Sequence, residues 1–307
     1  MDWSRAKSVL LVAFLVLNLL LWQQIHAQRS GSGLLVTALS SADIQEARMK
    51  LEELEIFLEA RVPRQLVSLP RLVVQSGSMD TKTLPVGFLG RDYVHIAKYV
   101  GVNAFQLPEG GELLVLWDDG RGYFGPTRRQ GFGLAGTLSG WLERYILQLR
   151  AREYLGDHSL GERKRRFDYA VDLGDDHQAA VFVEEFGGYP VFGSYGVVWF
   201  FQRQPIGLSW NSFEIMGFTE PERAVWPATE ALITAAASEH LSTPATVRAI
   251  ELGYYVEAAD ALSWETVPVW RLLLDSGKQV LVNAYTGEVS PGPSWVNVDG
   301  SRGLTGP

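Results

Sequence analysis

Gly131-Phe132-Gly133-Leu134-Ala135-Gly136 has the GxGxxG spacing that lets backbone approach a pyrophosphate at the start of a helix. That chemistry needs a buried strand directly before the first glycine. Thr127-Arg128-Arg129-Gln130 does not resemble one, so the stretch reads as a glycine-rich loop. Ser4-Arg5-Ala6-Lys7 has the SxxK spacing of penicillin-recognising enzymes, but it lies in the charged flank of an apolar run, outside any pocket. No serine stands in a G-x-S-x-G frame, and His26, His95, His158, His177 and His240 have no partner at HxxxH or HExxH spacing. Asp175-Asp176-His177 comes nearest to a ligand cluster. Neighbours on a strand point to opposite faces, so it reads as a turn. By the same argument only one of Glu184-Glu185 can face a site. The basic run Arg163–Arg166 could meet anionic lipid or wall polymer, and reads as a solvated linker. No polar constellation converges. The expectation is a protein that binds and does not catalyse, with no catalytic residues, no metal and no cofactor.

Composition narrows the classes further. A chain of 307 residues, 47% hydrophobic and 20% charged, can bury one large or two modest cores. A net charge of −8 argues against nucleic acid as a partner. The absence of cysteine excludes disulfides, thiolate zinc sites and cysteine nucleophiles, so sheet and helix packing alone must hold the fold.

The opening stretch sets the location. Arg5 and Lys7 precede a run from Val9 to Trp22 in which Asn18 is the one residue that is not apolar. About 20 helical residues cross a hydrocarbon core of about 30 Å. Ser8 to Ala27 provides that length if Gln23, Gln24 and His26 sit at the outer interface. Trp3 and Trp22 then lie roughly 28 Å apart, where interfacial aromatic belts belong. The basic flank keeps the amino terminus cytoplasmic and leaves the rest outside. Asn18, costly near mid-membrane, reads either as a single tolerated polar residue or as the mark of a contact with a neighbouring membrane helix. The other reading is a secretory signal cleaved after Ala27, although Ile25 is large for such a site.

Further along, residues 1–7 form a cytoplasmic flank, 8–27 the transmembrane anchor, and 28–33 (QRSGS and Gly33) a flexible stalk. A first α+β lobe covers 34–160 and a second covers 161–289. A Pro- and Gly-rich tail, 290–307, reads as disordered. The first lobe opens with a helix capped by Ser40 or Ser41 and ended by Pro63. Extended runs follow at Arg71–Gln75, Tyr93–Val100 and Glu112–Trp117, then a turn at Asp118-Asp119-Gly120 leading into Gly122–Phe124, and a second helix over about Leu138–Tyr154. The second lobe starts with strands at Phe167–Leu173, Ala179–Phe186, Tyr189–Phe192, Val197–Arg203 and Gly207–Met216. Thr219 and Glu222 have capping-box spacing, and Pro227 suits the first turn of a helix reaching about His240. Three strands end it: Ile250–Glu257, Val267–Asp275 and Lys278–Ala284, the last two joined at Ser276-Gly277. The fold class expected is α+β: one N-terminal transmembrane helix, then an extracytoplasmic two-lobed domain of antiparallel sheets with packed helices.

The C-terminal third carries Ile250-Glu251-Leu252-Gly253-Tyr254-Tyr255, then Val267-Pro268-Val269-Trp270-Arg271, then Val282-Asn283-Ala284-Tyr285-Thr286-Gly287-Glu288. With Met1-Asp2-Trp3-Ser4-Arg5-Ala6-Lys7, the apolar span containing Asn18, and Tyr189-Pro190-Val191-Phe192, this resembles the YycI family of two-component regulatory proteins, relatives of YycH. The Asn-Ala-x-Thr-Gly-Glu ending is shared with PepSY-type modules. The residues themselves read as structural. Gly253 and Tyr254 lie in a strand, as do Pro268 and Trp270. Trp270 is a large core or interface residue, Thr286-Gly287 supplies a turn, and Asn283 can bond the backbone beside it. The resemblance implies a single-span membrane protein that works with a YycH-like partner to restrain a sensor histidine kinase of the WalK or YycG type controlling cell-wall metabolism. The partners implied are that protein, that kinase and membrane lipid. The alternative is a secreted PepSY-like binding or protease-inhibiting module.

Overall fold

The computed structural model describes residues 38–126, 136–137, 141–157, 165–257 and 261–292. The expected anchor, with Trp3, Asn18 and Trp22, lies outside the described residues, as do the stalk, the GxGxxG stretch apart from Gly136, and most of the tail. Among the described residues, no helix is long and apolar enough to cross a membrane.

The chain begins with helix α1 (Ser41–Glu53). Ser40 caps it reciprocally: the Asp43 amide donates to Ser40 Oγ at 3.1 Å, and the Ser40 amide donates to Asp43 Oδ2 at 2.9 Å. The helix stops at Leu54, well before Pro63, because Glu55 turns to φ 58° and feeds a strand. That strand, β1 (Ile56–Leu58), pairs in parallel with a segment far along the chain, which is why no local signal marks it. Then follow β2 (Ser68–Leu69), β3 (Leu72–Ser76), helix α2 (Thr83–Leu89), β4 (Val94–Tyr99), β5 (Val102–Gln106), β6 (Glu112–Trp117), β7 (Arg121–Pro126) and β8 (Gly136–Thr137). Helix α3 spans Trp141–Asp157. Next come β9 (Arg165–Gly174), β10 (His177–Phe186), β11 (Tyr189–Phe201), β12 (Gln204–Asn211), β13 (Phe213–Phe218) and β14 (Arg223–Ala224). Helix α4 (Ala228–Ala236) is flanked by Pro227 and has no side-chain cap. Thr219 is no cap; its amide donates to the Arg71 carbonyl at 2.9 Å. The chain then forms β15 (Ala245–Tyr255), β16 (Ser263–Thr266), β17 (Pro268–Leu274), β18 (Gln279–Asn283) and β19 (Val289–Pro291).

The result is a mixed α+β fold, rich in sheet with few helices. A 14-stranded sheet runs β19-β18-β17-β15-β11-β12-β7-β6-β5-β4, with β10, β9, β8 and β1 attached off this path. Two small sheets, β13-β3-β16 and β14-β2, accompany it. The two expected halves share this sheet, because β7 pairs with β12 from Phe124↔Leu208 to Arg121↔Asn211.

β11 creates a fork. It stays beside β10, while its other edge meets β15 at Val191 and Phe192 and meets β12 from Tyr195 onward. At the branch the β10 register jumps, with Glu184 opposite Val191 but Val183 opposite Tyr195, so Phe192-Gly193-Ser194 leaves the ladder. Side chains hold the excursion: Ser194 Oγ donates to the buried Glu184 at 2.6 Å, and Asn211 Nδ2 donates to the Gly193 carbonyl at 2.9 Å.

β17 is buried along its whole length. Trp270, Leu272 and Leu274 join Leu51 of α1 and Ala231, Leu232 and Ala235 of α4 in one core. Leu273 and Ala249 turn the other way and pack on Tyr169, Val171, Val181, Val197 and Trp199 of the β9–β11 sheet. A strand covered on both sides reads as a continuous apolar run, and PVWRLLL does so apart from Arg271.

Several tyrosines lie in these layers. Burial pushes Tyr195 and Tyr254 above the ordinary phenol value, and it pushes Tyr255 up to about 12. Unfolded tyrosine ionises near pH 10, so above that pH the unfolded chain holds fewer protons than the folded one. The tyrosine contribution to stability is therefore expected to be constant below about pH 10 and to fall from pH 10 to 12. Urea midpoints across that range check this.

Candidate functional site

The six C-terminal motif residues lie on β15, on β17, at the end of β18 and in the turn after it. Gly253 lies flat against Pro190, where a Cβ would come 2.4 Å from the Pro190 carbonyl oxygen, so β15 can approach β11 only without a side chain there. Its neighbour Tyr254 is fully buried and donates its hydroxyl to the Pro70 carbonyl at 2.9 Å, tying β15 to the β2–β3 connection. Pro268 stands opposite Tyr254, and its carbonyl accepts the Ala284 amide at 2.9 Å. Trp270, 1% exposed, donates its indole N–H to the Trp226 carbonyl at 2.8 Å, which fixes the entry to α4. Asn283 Oδ1 accepts the amides of Tyr285 at 2.9 Å and Thr286 at 3.2 Å, which shapes the turn. Gly287 closes it at φ 75°. The Trp226 ring lies directly on Gly287, with Cη2 only 2.2 Å from where a Cβ would stand. Every one of the six is thus engaged in turns, strand approach or packing.

Gly287→Ala should cost about 1–3 kcal/mol from its left-handed backbone alone, and it must also displace Trp226. Chemical denaturation measures the loss. Near-ultraviolet circular dichroism should report the Trp226 shift.

A second constellation, not visible as a unit in the sequence, joins distant strands. Arg271 on β17 is 1% exposed. Its two terminal nitrogens bind both oxygens of Asp168 on β9, with Nη2 2.6 Å from Oδ1 and Nη1 bonded to Oδ2. Nη2 also donates to Glu251 Oε2 on β15 at 2.7 Å. The Phe192 ring centroid lies 4.2 Å from the guanidinium carbon, a cation–π contact at the fork. Glu251 accepts a second arginine, Arg166 on β9, at 2.9 Å, and Arg166 Nε lies 3.5 Å from Glu185 on β10. Gln279 on β18 donates to the Tyr169 hydroxyl at 2.9 Å. Arg165, on the opposite face of β9 from Arg166, donates to Ser212 Oγ at 3.0 Å.

Local structure explains the aim of Asp168. The β9–β10 register shifts so that Val181 opposes Tyr169 while Phe182 opposes Phe167, and Asp168 is the extra residue of the bulge. Burial alone pulls the Arg271 guanidinium down. The Asp168 and Glu251 carboxylates override it, holding the group above the ordinary arginine value. A guanidinium ligated on both terminal nitrogens by carboxylates of its own chain acts as a cross-link between layers. Arg166, expected in a solvated linker, is instead half-buried. It forms part of this cluster because β9 begins at Arg165, and the missed signal is two doublets of opposite charge, Arg165-Arg166 and Glu184-Glu185, at nearly equal distance either side of the Asp175-Asp176 turn. Asp175 and Asp176 take positive φ, and His177 Nδ1 lies 2.7 Å from the Asp175 carbonyl oxygen. Among the described residues, no group of three or more His, Asp or Glu side chains is arranged to hold a metal ion.

No family model and no curated protein matches this chain. Several solved structures are similar to it, among them the two that follow. An uncharacterized protein from Eubacterium rectale shares 10% identity over 77% of this chain and 90% of its own, with a TM-score of 0.49. YycH from Bacillus subtilis shares 15% identity over 75% of this chain, with a TM-score of 0.44; the chain spans 53% of that structure. Likeness at this level leaves function to be argued from the residues.

Proposed function

We propose that this chain is a non-catalytic, membrane-anchored extracytoplasmic regulator that, with a YycH-like partner, restrains a WalK/YycG-type sensor histidine kinase controlling cell-wall metabolism. One observation carries the reading: a single chain combines the opening Trp3–Trp22 span, with its lone Asn18, and the C-terminal YycI-like series. Such a chain acts through surfaces. The membrane helix packs on the kinase's spanning helices through Asn18 and favours one signalling state. It shifts that balance only by binding the two states unequally. The net charge of −8 argues against nucleic acid as a partner.

The test is purification of the full chain from membranes in mild detergent, followed by identification of co-purifying proteins and the mass of the mature amino terminus. An intact leader together with a histidine kinase and a YycH-like protein is the expected result. A soluble product beginning after Ala27 would replace this reading with a secreted PepSY-like binding or protease-inhibiting module.

A further inference from the structure

We infer that the Arg271–Asp168 pair is a mechanical coupling through which a displacement of the β9–β10 hairpin reaches the C-terminal β15–β17–β18 meander. The inference stands on the geometry and is independent of the function proposed above.

Among the described residues, the hairpin and the meander belong to one sheet only by way of β11. Face to face, their apolar contact is through Leu273 and Ala249 against residues such as Tyr169, Val171 and Val181. Apolar contacts are non-directional and tolerate a slide. The Arg271–Asp168 contact does not, because hydrogen bonds weaken steeply as they bend and a bidentate pair fixes two at once. Both side chains are almost completely buried, at 2% and 3% exposed, so water cannot stand in for either partner when they separate. The hairpin and meander therefore move together or part at once, which is the discrete behaviour that carries coupling across a packed structure. Phe192, lying against Arg271, brings the fork into the same unit. A rim of partly exposed charge, Arg166, Glu185 and Glu251, leads from solvent to the buried pair.

Hydrogen exchange on the full chain in detergent tests the coupling. Ala180→Gly loosens β10 on the face that packs with Phe182, Val198 and Leu208, away from Arg271. Exchange should rise at least about fivefold in β9–β10 and by a similar factor in β17–β18. With Asp168→Leu and Arg271→Met combined, the same Ala180→Gly should act on β9–β10 as before and reach β17–β18 at about half strength or less, the remainder being carried by the Gln279–Tyr169 and Arg166–Glu251 contacts. Should that background not fold, Arg271→Lys replaces it; lysine keeps the charge but not the two-nitrogen grip. An Ala180→Gly effect confined to the hairpin in the natural background would overturn the inference. So would a β17–β18 response that persists undiminished once the pair has been removed or weakened.

Discussion

Asp168→Ala should destabilise the folded chain by about 3–5 kcal/mol, because it leaves the buried Arg271 facing an empty site. The Glu251 carboxylate remains within 2.7 Å of Arg271 Nη2, but it is partly exposed, and Arg166 shares the same oxygen. One shared carboxylate cannot replace a bidentate one. The control is Asp168→Leu with Arg271→Met, which removes both charges. Replacing a buried pair with apolar groups is often neutral or better, so the double variant should recover most of the loss. Equilibrium urea unfolding of the three proteins gives both values. If Asp168→Ala unfolds at the natural midpoint, the pair does not hold the layers together.

The second large effect belongs to Trp270. Removing a buried indole leaves a cavity, with a cost of about 3–5 kcal/mol for Trp270→Ala. It also strips the Trp226 carbonyl of its donor at the entry to α4. Trp270→Phe separates the two contributions by filling most of the space and lacking the N–H. About 1–3 kcal/mol of loss is expected there, from the unsatisfied carbonyl. Because α4 packs on α1 in the same core, the loss should appear in both helices by hydrogen exchange.

These residues also mark how far a sequence reaches. Strand and turn positions set by nearest neighbours were legible: Glu112–Trp117 coincides with β6, and the hairpin at Ser276-Gly277 lies between β17 and β18. The expected strand Ile250–Glu257 overlaps β15, which starts earlier, at Ala245, and ends at Tyr255; Ile250 and Tyr254 are buried as one face, but Leu252 is only partly buried and Gly253 on the other face is buried against β11. Boundaries set by distant backbone were not legible. Gly207–Met216 reads as one strand, yet it divides at Ser212, whose amide donates to the Gly120 carbonyl at 3.1 Å. Tyr189–Phe192 and Val197–Arg203 read as two strands. They are one, because β10 continues beside both across the Phe192–Ser194 excursion. Pro63 is a sound local stop for a helix, but the parallel pairing of Ile56 with Ala245 had already claimed the chain.

The candidate site divides along the same line. Asn283, Thr286 and Gly287 sit within one turn, so turn chemistry places them from sequence. The Arg271 cluster could not be read that way. Asp168, Glu251 and Arg271 come from three strands, and a bulge decides which way Asp168 points. A register shift of that kind depends on the whole β9–β10–β11 ladder.

The proposed restraint of a sensor kinase is tested most directly by autophosphorylation of a WalK/YycG-type kinase in lipid vesicles, with and without the full chain and a YycH-like protein. A lower rate with the full chain, restored when residues 1–30 are exchanged for an unrelated membrane anchor, is the predicted result. A rate that is the same whether or not the chain is present would contradict the account.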